Sequence, residues 1–276
     1  MPARQLFKAP KVLIGVVHLP PLPGSPGWGG DMGWVLDRAQ EEASVLEQGG
    51  ANGIIVENFG DVPFRIGPVE PDTVAAMTLA VARVKQGTDL PVGVNMLRND
   101  ARSAMAVAAA TGADFIRVNV HYGVMAAEEG MVQGDAYETL RHRRSLGVEV
   151  KILADVLVKH AVTVGPQDLG QMAQETTYRG LSDGLIVSGP VTGQPAEESD
   201  VAVVREAVPD GFLLVGSGVN EANAARLLAE ADGAIVGTSL KRDGIVGNLI
   251  DPERVKRLAE IIHELGSQPT ARLVNG

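Results

Sequence analysis

Four short segments of this chain read alike: GANGIIV from Gly50, GADFIRV from Gly112, LSDGLIV from Leu181 and EADGAIV from Glu230. Each stands at the approach to an apolar, β-branched run. One further run of the same kind lies ahead of the first copy and one between each successive pair, giving eight: 12–19, 53–58, 91–97, 115–120, 150–156, 184–189, 213–218 and 233–240. Segments with helical periodicity separate them, among them 34–48, 71–86, 219–231 and 251–266, the last with Asp251 as N-cap and Pro252 at the first helical position. Strands alternating with helices make a parallel sheet. A motif that returns once per two βα units, four times over, predicts an α/β fold of a particular kind, a single closed (β/α)8 TIM barrel with alternating strand roles, rather than an open doubly wound sheet. The 276 residues suit one such domain. Residues 1–11 read as an N-terminal extension, 267–276 as a C-terminal tail, and no Gly-, Ser- or Pro-rich linker divides the chain.

Side-chain parity then sorts the strand residues. The face toward the helices must be apolar, so Ile116, Val118 and Val120 point outward and force Arg117, Asn119 and His121 inward. On the fifth run Val150, Ile152, Ala154 and Val156 point outward, leaving Lys151, Leu153 and Asp155 inside. The same parity turns Glu57, Asn95 and His18 inward. Barrel interiors are normally packed with branched apolar side chains, and burying ions costs several kcal/mol each unless they are paired. Two acids (Glu57, Asp155) set against two bases (Arg117, Lys151) therefore predict a charge-balanced network, either an active site or a salt-bridge core that only fixes register. Glu57, His121 and Asp155 fall at the C-terminal strand ends, where barrel active sites are built. Lys151 lies four residues deeper, roughly 13 Å by strand rise, which disfavours a Schiff-base role and suggests a partner that keeps Asp155 ionised.

On the far side, the seventh run ends in Gly216-Ser217-Gly218 and the eighth in Gly237-Thr238-Ser239. Glycines let backbone approach a ligand closely, helix starts offer unpaired N–H groups, and these two loops are the usual phosphate site of the architecture; two glycine-rich packing turns are the alternative. Neither a Walker loop nor a complete GxGxxG is present. No cofactor is expected. FMN at the phosphate loops, or a divalent ion on His18, His121 and His160 with Asp155 or Glu57, stands as a weaker option, because the spacing matches no local metal motif. Ser188, at the end of the sixth run, His18 and Lys151 are candidate substrate contacts. Residues 19–30 (LPPLPGSPGWGG) form either a lid over this face or a stiff surface turn.

The remaining composition narrows the partners. A formal charge of −10 with 4% aromatic residues argues against nucleic acid. The absence of cysteine fits a reducing, cytoplasmic setting, no run approaches the ~18 apolar residues of a membrane span, and homo-oligomerisation is expected on general grounds.

The blocks IGVVHLPPLPGSPGWGG (14–30), GIIVENFGDVPF (53–64), VNMLRND (94–100), FIRVNVHYG (115–123), ILADVLVKHA (152–161) and VGTSLKRDG (236–244) resemble those of the BtpA/SgcQ family over nearly the whole chain. The resemblance implies a TIM-barrel-like fold. For photosynthetic members it implies a role in photosystem I biogenesis or stability with peripheral association to thylakoids, and other members occur beside sugar-metabolism genes. It carries no catalytic set. The residues themselves favour a metal-independent acid/base enzyme acting on a phosphorylated small molecule such as a sugar phosphate or nucleotide-like compound, by lyase, isomerase or glycosidic-cleavage chemistry. In that scheme Glu57 or Asp155 serves as acid or base, Asn95, Arg117 and Asn119 orient the substrate, and His121 shuttles a proton. A non-catalytic assembly factor and a phosphate-ligand sensor are the alternatives.

Overall fold

The computed structural model describes residues 3–157, 160–165, 168–189 and 193–267. Of the expected terminal segments, 1–2 and 268–276 lie outside the described residues. In chain order the elements are β1 (Val12–His18), α1 (Met32–Gln48), β2 (Gly53–Glu57), α2 (Pro71–Gln86), β3 (Val92–Asn95), α3 (Ala101–Thr111), β4 (Phe115–Val118), β5 (Val124–Ala127), β6 (Gly130–Gln133), α4 (Ala136–Leu146), β7 (Lys151–Leu157), β8 (Ala161–Thr163), α5 (Leu169–Gln174), β9 (Gly184–Val187), α6 (Glu198–Ala207), β10 (Leu213–Val215), α7 (Ala224–Leu227), β11 (Gly233–Val236) and α8 (Pro252–Ser267). Eight of the strands close a parallel barrel in the order β1-β11-β10-β9-β7-β4-β3-β2. All eight coincide with the apolar runs, as a TIM barrel requires.

The fourfold repeat has a physical cause at the bottom of the barrel. In each copy the residue before the strand is Asn52, Asp114, Asp183 or Asp232. Its side chain accepts a hydrogen bond from the first amides of the preceding strand, at Leu13 (2.8 Å), Val92 (2.8 Å), Ile152 (3.0 Å) and Leu213 (2.9 Å). Its own amide returns a bond to the carbonyl of that same residue. A base on every second helix meets the same side chain: His263 of α8 on Asn52, Lys85 of α2 on Asp114, Arg143 of α4 on Asp183 and Arg205 of α6 on Asp232. Buried strand ends must satisfy their amides, and one Asx residue per strand pair does it four times.

Inside, Ile14, Val16, Ile55, Leu153, Ile186, Leu214 and Ile235 pack with Phe7, Phe115 and Phe212. Phe7 stacks on Phe212 at 5.6 Å and meets Phe115 edge-on at 6.0 Å, so the first residues of the chain plug the lower end. A Cβ on Gly93 would come within 2.2 Å of the Phe115 ring, which explains the glycine there. The opposite strand faces, from Leu13, Val17, Ile54, Val94, Ile116 and Ile152 onward, pack against the helices in the larger core.

Two features depart from expectation, and a third concerns the segment after β1. The chain leaves the barrel after β4 to form a small antiparallel sheet, β6-β5-β8, whose strands of three or four residues are too short to show a period. The helix expected over 219–231 shrinks to Ala224–Leu227. Asn220 and Asn223 explain this, since their side chains bond the local amides of Ala222 and Asn220 and compete with helical hydrogen bonds. The proline-rich segment 19–30 is anchored at its start. Leu19 and Leu22 are buried, the Leu22 amide donates to Asp61 Oδ1 (2.7 Å), and a Cβ on Gly60 would strike Pro20 and Pro21 at 2.4–2.5 Å.

Beyond β11, Lys241 is wholly buried and donates to Glu42 Oε2 of α1 at 2.7 Å, with Glu42 1% exposed. Burial pushes the lysine down and the carboxyl up, each against the pull of its partner. This pair ties the segment carrying Thr238 and Ser239 to the first helix.

Candidate functional site

At the C-terminal face, the register aligns His18 with Glu57, Glu57 with Asn95 and Asn95 with Arg117, so four polar side chains stand in a row across β1 to β4. Asn95 Nδ2 donates to Glu57 Oε1 at 2.9 Å, Arg117 Nη1 lies 3.5 Å from the same oxygen, and His18 Nε2 stands 3.7 Å from Glu57 Oε2. The His18 ring rests on Phe59, with centroids 4.4 Å apart.

Asp155 is held differently. Arg117 grips it with two bonds of 2.9 Å, from Nε to Oδ2 and from Nη2 to Oδ1, while Ser188 Oγ donates to Oδ1 (2.9 Å) and Asn119 Nδ2 to Oδ2 (3.1 Å). Its side chain has no solvent exposure. Burial works against the Arg117 charge, but the carboxylate of Asp155, its hydrogen bonds and the charge of Glu57 outweigh it and hold the guanidinium above its ordinary pKa. A carboxylate held by four donors positions others, whereas Glu57 lines the cavity.

That cavity, of about 410 Å³, is floored by Val16 and Ile235 and walled on one side by His18, Glu57 and Arg117. Opposite stand Gly216, Ser217, Gly218, Gly237, Thr238 and Ser239, all six residues expected at the phosphate loops. The glycines serve protein packing as well: a Cβ on Gly237 would lie 2.6 Å from the His18 ring, and one on Gly216 would lie 2.4 Å from Ser188 Oγ and 3.3 Å from Arg117. Gly218 has φ +68°, a backbone that favours glycine. Ser217 Oγ accepts from the Gly189 amide (2.7 Å) and donates to the Gln194 carbonyl (2.9 Å), and Ser239 Oγ donates to the Val219 carbonyl (2.5 Å). Both hydroxyls therefore shape the loops. Thr238 Oγ1 has no protein partner among the described residues, and the short 3₁₀ turn Thr238–Leu240 begins with amides that lack an intrahelical acceptor.

Two expected residues are elsewhere. His121 lies past the end of β4, and its Nε2 meets the Gly180 carbonyl at 2.8 Å, away from the cavity lining. The chain has already turned toward β5 there, so strand parity no longer applies. Lys151 opens β7 at the bottom of the barrel, and Asp155 takes its cation from Arg117, one strand over, whose long side chain reaches up to it. Sequence reasoning missed Arg254 and Asn220 at the cavity rim. Arg254 sits in the first turn of α8, with Nη1 donating to the Ser239 carbonyl (3.2 Å) and Nε 3.9 Å from Asp251. Its place just after the N-cap of the helix that follows the eighth barrel strand was the available signal. His18 and Glu57 face each other, but among the described residues no three His, Asp or Glu side chains converge as a metal-ligand set.

Burial pushes the His121 imidazole below its ordinary pKa, with the Gly180 carbonyl opposing it. A folded-state pKa below the unfolded value of about 6.5 means the unfolded chain binds the extra proton, so stability is kept above that pH and lost as the pH falls beneath it. Stability in urea unfolding should therefore fall between pH 7.5 and 5.5 through this group, and His121→Gln should remove that part of the fall; an unchanged pH dependence would contradict it.

The comparisons with known proteins agree with this architecture. Among solved structures the chain is similar to (S)-3-O-geranylgeranylglyceryl phosphate synthase from Thermoplasma acidophilum in complex with sn-glycerol-1-phosphate, with TM-score 0.60 and 19% identity over 92% of this chain and 94% of the other. It is also similar to N-(5'-phosphoribosyl)anthranilate isomerase from Pyrococcus furiosus, with TM-score 0.54 and 11% identity over 92% and 99%. These likenesses establish the barrel. In sequence, a photosystem I biogenesis protein BtpA from Synechocystis is 48% identical over 98% of this chain and 94% of its own length. The putative sgc region protein SgcQ of Escherichia coli is 32% identical over 95% and 98%. No helix among the described residues is long and apolar enough to cross a membrane. The model of the BtpA family matches residues 9–264, nearly the whole barrel, and the chain belongs to that family.

Proposed function

We propose that this protein is an acid/base enzyme acting on a phosphorylated small molecule. The observation that carries the reading is one cavity in which Glu57, His18 and Arg117 face the two glycine turns across the barrel mouth. The phosphate lies between residues 216–218 and 237–239, held by loop amides, Thr238 Oγ1 and Arg254, the geometry in which backbone and guanidinium groups bind anions well. The remainder of the ligand extends over Ile235 and Val16 toward Glu57. Glu57 Oε2 moves the proton, His18 beside it hands the proton on, and the Arg117 charge, fixed by Asp155, stabilises negative charge that develops on the substrate. Asn95 Oδ1 and Asn119 Oδ1 are buried with no hydrogen-bond partner among the described residues. Neither residue lines the cavity, and each holds an acid from behind, Asn95 on Glu57 and Asn119 on Asp155. The synthase named above was crystallised with a phosphorylated substrate, which supports the reading by analogy of fold.

Thermal denaturation with ribose 5-phosphate, sn-glycerol 1-phosphate and AMP tests it. A ligand at about 100 times its Kd adds roughly 2.7 kcal/mol, a rise in Tm of several degrees. Thr238→Val with Arg254→Gln should weaken binding by about tenfold or more, as loss of charge-assisted hydrogen bonds implies. No shift from any phosphate ester overturns the proposal.

The relative from Synechocystis supports a second reading, a biogenesis factor. The small sheet outside the barrel carries exposed Met131 and Val162, a surface such a factor could use without the cavity. Retention of that activity in a variant whose cavity no longer binds phosphate esters would favour it.

A further inference from the structure

The phosphate turns have space on their far side as well. Beyond them lies a second space of about 240 Å³, which shares Asn220, Ser239 and Arg254 with the first and continues between Ala222, Leu240 and Leu258. Its inner wall is apolar, with Leu240 and Leu258 each 1% exposed. Its outer edge is polar: Glu221 accepts from Arg257 Nε at 2.9 Å and Asn220 Oδ1 accepts from the Ala222 amide. A site for a terminal phosphate needs no second space, whereas here one borders the anion position across Asn220, Ser239 and Arg254.

The charges point the same way. A phosphate monoester carries nearly two negative charges at neutral pH, and a diester carries one. Of the guanidinium groups lining the main cavity, Arg117 is taken up by Asp155, with Glu57 beside it, and Arg254 has Asp251 at 3.9 Å. Such a rim offers little surplus positive charge and suits a monoanion.

Resting on the phosphate reading above, we infer that the ligand is a phosphodiester: its reacting half lies over Glu57, its phosphate sits at the glycine turns, and its second half passes Arg254 into the side cavity. The space suits a glyceryl, pentosyl or nucleobase-sized group in that second half, apolar on one face and polar on the other.

Calorimetric titration of the wild-type chain compares two pairs of probes, glycerol 3-phosphate against glycerophosphoglycerol, and AMP against the dinucleotide ApA. In at least one pair the diester should bind ten times more tightly or better. Ala222→Trp, a change at an exposed position that fills the side cavity and leaves the turns intact, should abolish that preference while holding the monoester Kd within twofold. Monoesters that bind as tightly as diesters in both pairs overturn the inference and leave the phosphate site standing. A preference that survives Ala222→Trp also overturns it. If no probe of either class binds, the phosphate reading itself fails and the inference falls with it.

Discussion

Asp155→Ala should destabilise the fold by about 3–5 kcal/mol, the usual cost of stripping one partner from a buried ion pair, read as a fall in the urea midpoint at neutral pH. The alanine removes all four acceptor contacts at once, leaving Arg117 in the barrel with Glu57 at 3.5 Å as its nearest carboxylate and Ser188 and Asn119 without their acceptor. The guanidinium is only 3% exposed, so water cannot readily take the place of Asp155. Asp155→Asn keeps one oxygen for Arg117 and should cost about half as much, since a neutral acceptor makes the weaker hydrogen bond. The double variant Arg117→Met, Asp155→Leu should recover much of the stability, because replacing a buried pair by apolar residues of similar volume is often neutral. Its failure to bind phosphate esters productively would then separate what the pair does for the site from what it does for the fold. A loss below about 1 kcal/mol for Asp155→Ala, the level of an exposed pair, would show that the network rearranges around Arg117 and that the carboxylate is not its anchor.

Much of this arrangement could be read from the chain because strand parity is a strict rule. Once Ile116 and Val118 had to face the helices, Arg117 had to face inward, and the same step placed Glu57, Asn95 and Asp155. Parity tells which side a residue takes but not its depth or its partner. Lys151 and Asp155 share a face, yet they lie at opposite ends of β7, and the partner of Asp155 comes from the neighbouring strand because strand stagger and the length of an arginine allow it. Parity also lapses where the strand ends. Asn119 still turns toward Asp155, but two residues later His121 has left the barrel for Gly180.

The fourfold repeat was visible as a pattern, and its meaning as an Asx bond to the preceding strand needed three dimensions, since each side chain serves an amide 19 to 39 positions earlier. Arg254 escaped notice because capping residues explained the start of α8 by themselves, and nothing local marks a helix residue that leans over a cavity built from two other loops. The pair Glu42–Lys241, 199 positions apart, left no trace at all: each reads as an ordinary surface charge until α1 folds against the loop beyond β11.

The two acids at the barrel mouth therefore separate by position, and the largest functional effect should fall on Glu57, which lines the cavity. Glu57→Gln should lower turnover of a phosphorylated substrate by about 10²–10⁴, the usual contribution of a positioned acid or base, while phosphate-ester affinity stays within about twofold and the urea midpoint moves little. The amide is nearly isosteric and its oxygen still accepts from Asn95, so the row from His18 to Arg117 keeps its shape. What it removes is the capacity to take a proton at the oxygen that faces His18. His18→Gln should cost less, since a relay is easier to bypass with water than the primary base. A Glu57→Gln variant that retains full turnover would remove the acid/base assignment. One that loses affinity in step with turnover would make Glu57 a binding residue. The predicted pattern, with turnover lost and binding and folding kept, requires Glu57 to act only after the ligand is in place, as expected of a group whose contribution is realised in the transition state rather than the ground state.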